Sequence, residues 1–156
     1  MIALTIEDEI VFCPIGYVKI VNSNAEVKEK SVTSQIILQP RLIEALDGIE
    51  GFSHLFVLFY LDKVPAENNL VLKIHPKGRT DLPLMGVLGT RTMLRPNPIG
   101  LTLVKLLKVQ DSVLTVQDLD AYDGTPVLDI KPYDPWDIAK DARVPAWWNK
   151  LYEGLK

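Results

Sequence analysis

Leu101-Thr102-Leu103-Val104-Lys105-Leu106-Leu107-Lys108-Val109, then Gln110-Asp111-Ser112, then Val113-Leu114-Thr115-Val116-Gln117-Asp118-Leu119 is the stretch whose reading decides the fold. Two apolar-rich runs joined by three polar residues read as paired strands, with Gln110-Asp111-Ser112 as the hairpin turn. The same signal recurs on both sides. Ile15 to Val21 alternates apolar and polar residues, and Thr33 to Leu38 is a short β-rich run. Ser53 to Leu61 is almost continuously apolar, as in a strand buried on both faces. Leu70 to Ile74, Met85 to Leu88 and Val127 to Ile130 complete the set. Many short strands separated by turn signals favour a closed barrel or a sandwich. Helices are few. Pro40 suits a first helical turn, Arg41 to Leu46 has helical spacing, and Asp47-Gly48 supplies a stop. Pro145 to Tyr152 reads as a short amphipathic helix whose aromatic residues must pack on something. Asn22 to Lys30 is polar throughout and reads as a mobile loop.

Size and charge narrow the functional classes. A chain of 156 residues with 47% hydrophobic content has the length of one domain and enough apolar residues for a sizeable core. No run of about 20 apolar residues exists, and the N-terminus lacks the basic-then-apolar order of a secretory signal, which predicts a soluble, cytoplasmic protein. Cys13 is the only cysteine, so neither an intrachain disulfide nor a thiolate metal cluster is possible. It reads as a small buried hydrophobe on the first strand. The net charge of −3 argues against bulk electrostatic coating of nucleic acid. A local basic face remains open, because Lys73, His75, Lys77 and Arg79 cluster, with Arg91 and Arg95 close behind.

Two segments place glycine, proline and carboxylate where an ordinary barrel would place valine. The first runs Gly89-Thr90-Arg91-Thr92-Met93-Leu94-Arg95-Pro96-Asn97-Pro98-Ile99-Gly100-Leu101-Thr102, the second from Asp118 to Tyr133 through Asp120-Ala121-Tyr122-Asp123-Gly124-Thr125-Pro126. Prolines on both sides of Asn97 fix the backbone, while Gly100 permits unusual dihedrals or the close approach of a ligand. No P-loop, G-x-G-x-x-G, Ser-His-Asp pattern or metal-ligand spacing competes with them. His54, in Phe52-Ser53-His54-Leu55, reads as a satisfied core histidine.

The string R-P-N-P-I-G-L-T, preceded by G-V-L-G-T-R and followed by D-G-T-P-V-L-D-I-K-P-Y, resembles the TsaA-like family of TrmO-type tRNA methyltransferases. The resemblance runs from about Ile15 to Asp137. It implies an all-β fold, a small single-domain β-barrel with one or two short peripheral helices, its core about residues 15–137 and a helical tail about 138–156. It implies S-adenosylmethionine as cofactor, a homodimer, and methylation of the exocyclic nitrogen of threonylcarbamoyl-adenosine at tRNA position 37. One departure stands out: the proline-arginine-glutamine motif that bacterial members carry in the loop at Asn22 to Lys30 is absent.

Methyl transfer from a sulfonium requires alignment, a desolvated pocket and a proton acceptor, and no metal. Arg91 is a candidate for the methionine carboxylate, through its planar fork of donors, or else for a salt bridge to Asp120 or Asp123. Asn97 can present its amide to the adenine edge or to the cofactor's polar groups, and Leu101 can cover the ring; a rigid turn is the alternative for Asn97. Asp62 and Lys63 fall where the family approaches the adenine, largely through backbone. Asp120 and Asp123 are the candidate catalytic carboxylates, Asp123 as base and Asp120 also as ribose ligand. Asp129 is expected to pair with Lys131 or Arg95. Arg95, Lys77 and Arg79 are the expected tRNA contacts. The rival readings are a cofactor-binding module without turnover and a methyltransferase acting on a small metabolite.

Overall fold

A computed structural model describes residues 10–21, 32–64 and 71–153. Six antiparallel strands close a barrel: β1 (Gly16–Ile20), β2 (Thr33–Leu38), β7 (Val113–Gln117), β6 (Ile99–Gln110), β3 (His54–Tyr60) and β8 (Pro126–Pro132), which returns to β1. The two remaining strands, β4 (Lys73–Ile74) and β5 (Met85–Gly86), form a separate ribbon. The one α-helix among the described residues, α1 (Ala146–Lys150), belongs to the tail. No helix among these residues is long and apolar enough to cross a membrane.

Alternation builds the core. In β3, Leu55, Val57 and Phe59 point inward; in β2 the inward set is Ser34, Ile36 and Leu38, and in β7 it is Leu114 and Val116. Val18, Val104 and Val127 join them from the other three strands, all at most 4% exposed. Each apolar side chain of this set contributes roughly 1.5–3 kcal/mol on burial. Ser34 is the polar intruder, its hydroxyl buried without a partner.

The hairpin at Asp111-Ser112 is tighter than the sequence suggests, because Gln110 still pairs with Val113. Asp111 takes a positive φ of 51° to close the two-residue loop. The expected early helix forms over Pro40–Leu46, as a 3₁₀ helix; only Leu46 is buried, so a tight connection over the barrel end suffices. Four other expectations are corrected. β3 is buried on one face only, since Phe56 and Leu58 are half-buried on the outer side. The expected strand from Val113 to Leu119 stops at Gln117. There Asp118 adopts φ 67° and Leu119 turns into the core. Met85 to Leu88 pairs only at Met85–Gly86 before a 3₁₀ turn, and Leu70 lies outside the described residues. Cys13 is exposed and precedes β1, in an exposed stretch with Ile10, Val11 and Phe12. The barrel's inward alternation starts only where β1 pairs with β2 at Gly16.

Antiparallel order decides where the loops fall. β1 ends, β2 begins, β3 ends, β6 begins, β7 ends and β8 begins at one end of the barrel, as the pairs Ile20–Ser34, Thr33–Gln117, Tyr60–Ile99 and Phe59–Val127 require. Both glycine- and proline-rich segments therefore share that end. The polar segment Asn22 to Lys30 connects there as well but lies outside the described residues.

Candidate active site

The loop from Thr90 to Pro98 supports itself. Thr90 is buried and its hydroxyl donates to the Val87 carbonyl at 2.8 Å, while the Thr92 hydroxyl accepts from the Leu94 amide. Arg95 donates from Nη1 to the carbonyls of Thr90 at 2.9 Å and Thr92 at 3.4 Å. A guanidinium engaged through Nη1 inside its own loop helps to set the loop's shape. Pro96 and Pro98 fix the backbone on both sides of Asn97 and carry no amide donors. At the far end the Pro98 carbonyl accepts from the Leu61 amide at 2.8 Å, joining the loop to the end of β3.

The second segment joins the same place. Thr125 is buried, and its hydroxyl donates to Oδ1 of Asp62 at 3.3 Å. Asp62 Oδ2 pairs with Lys63 Nζ at 3.0 Å. Gly124, at φ 81°, reverses the chain so that its amide donates to the Val18 carbonyl, and Thr125 O accepts from the Val18 amide. Asp123 completes this lacing. Its Oδ1 accepts from the Ile20 amide at 2.8 Å and its Oδ2 lies 3.4 Å from Lys19 Nζ. The Ile20 amide holds the carboxyl below the usual aspartate range, with Lys19 and Lys63 adding to the effect against a partial desolvation. A carboxylate stabilised in this way is a weaker base than a free one. Asp120, two residues past Asp118, is exposed and makes no ion pair among the described residues.

The sequence-derived residues thus separate. Asp62, Lys63, Asn97 and Asp123 meet at the barrel end, with Asp120 in the same connection as Asp123. Leu101 lies on the adjoining outer wall, opposite Leu58 and half exposed. Arg91 is exposed, has no salt bridge to Asp120 or Asp123, and stands on the other flank of its loop. There it borders a groove of about 270 Å³ between Pro76–Gly78, Thr90–Met93 and the tail aromatics. Lys77 reaches the same groove, its ammonium 4.9 Å from the centre of the Tyr152 ring. Arg79, also expected to contact tRNA, is engaged within the protein. It makes a two-pronged pair with Asp81, Nη2 to Oδ2 at 2.6 Å, and donates from Nη1 to the Lys150 carbonyl at 2.8 Å. That pairing raises its pKa further and lowers that of Asp81.

Gly100 has a packing reason for being glycine. An ideal Cβ there would overlap the Phe59 ring, so the close approach is to the core and not to a ligand. Asp129 pairs with Lys131 at 2.7 Å. His54 is half-buried, bonded through Nδ1 to Ser53 Oγ and edge-on to Tyr133. His75 Nδ1 lies 2.8 Å from the Leu82 carbonyl, which only accepts, so Nδ1 carries the hydrogen. No group of three or more metal-ligating side chains forms among the described residues. Thr125 was not singled out in the sequence, although a short polar residue held between Gly124 and Pro126 was a usable signal.

Fold and site define a class: a small closed antiparallel barrel that gathers a polar site on the loops of one end. The chain belongs to the family described as tRNA-methyltransferase O N-terminal domain, which matches residues 23–137. A probable S-adenosyl-L-methionine-binding protein of Methanothermobacter thermautotrophicus is 47% identical over 109 residues, covering 70% of this chain and 75% of that protein. The tRNA (adenine(37)-N6)-methyltransferase of Escherichia coli is 40% identical over 114 residues, 70% of this chain and 48% of the relative. A crystal structure of TrmO from Pseudomonas aeruginosa superposes with a TM-score of 0.65 at 31% identity, covering 87% of this chain and 62% of the other. The chain thus spans less than two thirds of that TrmO structure and about half of the Escherichia coli enzyme.

Proposed function

We propose that this protein is an S-adenosylmethionine-dependent methyltransferase acting on the exocyclic nitrogen of threonylcarbamoyl-adenosine at position 37 of tRNA. The observation that carries the reading is the convergence of both motif loops on the end of β3, through Pro98 O to Leu61 N and Thr125 Oγ1 to Asp62. Membership of the family, an S-adenosyl-L-methionine-binding relative and a tRNA (adenine(37)-N6)-methyltransferase relative support the cofactor and methylation of adenosine 37. The cytoplasm is the compartment that goes with this reading.

The residues present suit the cofactor. Asn97, Asp62, Lys63 and the Leu61–Asp62 backbone would hold its adenosine, Leu101 would cover the ring, and Arg91 would take the carboxylate. S-adenosylmethionine supplies an electrophilic methyl group. The acceptor nitrogen is weakly nucleophilic, its lone pair shared with the purine and the carbamoyl group, and must give up a proton. Asp120 is the better placed of the two acidic candidates to take it, because Asp123 spends its oxygens on Ile20 and Lys19.

A homodimer is part of the same reading. The outer faces of β3 and β6 pair Tyr60 with Ile99, Leu58 with Leu101 and Phe56 with Leu103, and all six are exposed or half-buried. A contiguous apolar wall of this kind is unusual on a monomer. Light scattering is expected to give twice the chain mass of 17.5 kDa; a stable monomer at working concentration overturns the dimer.

The deciding measurement combines calorimetry with methyl transfer to intact tRNA. Arg91→Ala is expected to weaken cofactor binding by roughly 1.5–3 kcal/mol, the range for a hydrogen bond to a charged group. Asp120→Asn is expected to slow single-turnover methylation by about 10²–10⁴ while leaving cofactor affinity within a few fold. Cofactor binding without any methylation of tRNA would instead make the protein a binding module.

A further inference from the structure

We infer that the groove between the Pro76–Gly78 turn and the tail helix is a second contact for the RNA substrate, receiving an unpaired base. This rests on the tRNA reading above and names a subsite that the barrel-end residues do not provide. The groove's walls carry Trp147, Trp148 and Tyr152 on one side and Met93 on the other, with Lys77 and Arg91 at its margin. Its volume of about 270 Å³ lies below the range of about 300–1,000 Å³ usual for whole small-molecule ligands, and suits one flat ring better than a complete nucleoside cofactor.

The chemistry is that of single-strand recognition. Trp147 and Trp148 meet edge to face, their centres 5.4 Å apart and planes at 61°, so the pair does not close on itself as a parallel stack. Both are half-buried and keep ring surface toward the groove. Trp148 and Tyr152 are tilted at 50° with centres 6.2 Å apart. Stacking on such rings is tolerant of base identity, and flanking cations track the phosphates. The charge pattern fits that partner. In a chain of net charge −3, Lys77 flanks the groove with its charged end unpaired by any carboxylate among the described residues, while Arg91 stands on the wall that leads toward the proposed cofactor site. Of the acids near the tail, Asp81 is paired with Arg79, and Glu153, next to Tyr152, also faces the Arg79 charge.

The tail is fixed firmly enough to serve. Arg79 Nη1 anchors the last carbonyl of α1, Leu151 is buried, and Lys77 holds φ 52° with its ammonium over Tyr152. A non-glycine residue in that conformation is strained, and the strain is retained here at the groove's margin. The loop from Thr90 to Pro98 forms one wall of the groove with its first half and reaches the barrel-end site with its second. A base in the groove would therefore sit beside the nucleotide presented to the methyl donor.

The test uses the full chain, a stem–loop RNA and a blunt RNA duplex of matched composition. The stem–loop is expected to bind more tightly and to quench tryptophan emission in a Trp136→Phe background. Trp148→Leu is expected to weaken stem–loop binding roughly five- to 150-fold, with Trp148→Phe restoring most of it and cofactor affinity unchanged in both. Lys77→Ala, at an exposed position, is expected to lower the salt slope of binding by about 0.7. Equal binding of duplex and stem–loop, or unaltered RNA affinity in Trp148→Leu and Lys77→Ala, overturns the inference. So does a loss of cofactor affinity in Trp148→Leu with RNA binding intact, which would give the groove to the cofactor. A protein that binds no S-adenosylmethionine yet shows the Trp148-dependent RNA binding would sink the proposed methyltransferase and leave the groove's assignment standing.

Discussion

Replacing Gly100 by alanine separates two explanations of a glycine inside the R-P-N-P-I-G segment. If the glycine admits a ligand, Gly100→Ala damages binding and spares the fold. The packing around Phe59 argues for the opposite. The new Cβ would overlap three atoms of the Phe59 ring, and that ring is only 3% exposed, enclosed by the inward row of Leu55 and Val57. It has no solvent to swing into, so either the ring leaves its preferred rotamer or β6 moves away from β3, whose pairing runs from Tyr60–Ile99 to His54–Lys105. Overpacking of this kind costs about 1–3 kcal/mol. At about 2–4 °C per kcal/mol for a domain of this size, the melting temperature should fall by about 2–12 °C. Calorimetric unfolding of Gly100→Ala, Phe59→Leu and the double variant measures it. In the Phe59→Leu background the alanine is expected to cost less, with a coupling of about 0.5–3 kcal/mol. Unchanged stability of Gly100→Ala together with lost cofactor affinity would refute the packing explanation and restore the ligand one.

Asp123 should titrate below the ordinary aspartate value of 3.8, because the Ile20 amide and Lys19 favour its charged form. The folded value is the lower one, so its stabilisation is fully present above 3.8 and is lost as pH falls through the folded value. Carboxyl chemical shifts followed through acid should show this, and a midpoint at or above 3.8 would remove the lacing to β1. Arg79→Ala should release the end of α1, red-shifting Trp147 and Trp148 emission in a Trp136→Phe background and speeding tryptic cleavage after Lys150. The barrel's unfolding midpoint should barely move, since none of the barrel core touches this clamp. Thr125→Val keeps the side-chain volume and strands Asp62 Oδ1 without its donor, so the site loop should loosen; a cost on the order of 1 kcal/mol is expected by chemical unfolding, and no cost would mean the 3.3 Å bond is immaterial.

The strands were legible because burial on one face imposes a period of two on the residues, and that period survives in the sequence. Thr33 to Leu38 was read to the residue, and the Gln110-Asp111-Ser112 turn was read one residue too long, Gln110 staying in β6. Strand ends were less legible. Nothing in Gln117-Asp118-Leu119 announces that Asp118 takes a left-handed conformation and sends Leu119 into the barrel. The loop motifs announced a site, because paired prolines and a Gly-Thr-Pro turn are costly unless a fixed shape is required. That both share one end of the barrel follows from the antiparallel order of six strands, a property of the whole chain.

The sequence by itself determined the all-β class and the position of the core, and it marked two loop segments as the candidate site, since each depends on local pattern or on residue type. Tertiary structure alone decided what each charged side chain does. Arg95 folds back on Thr90, Arg79 grips the tail and Asp123 ties its loop to β1, whereas Lys77 and Arg91 are left at a groove. A charged residue's role depends on which backbone groups or opposite charges lie within about 3 Å, and those partners are set by strand register and loop closure, at separations in the chain of 103 residues for Asp123 and 71 for Arg79.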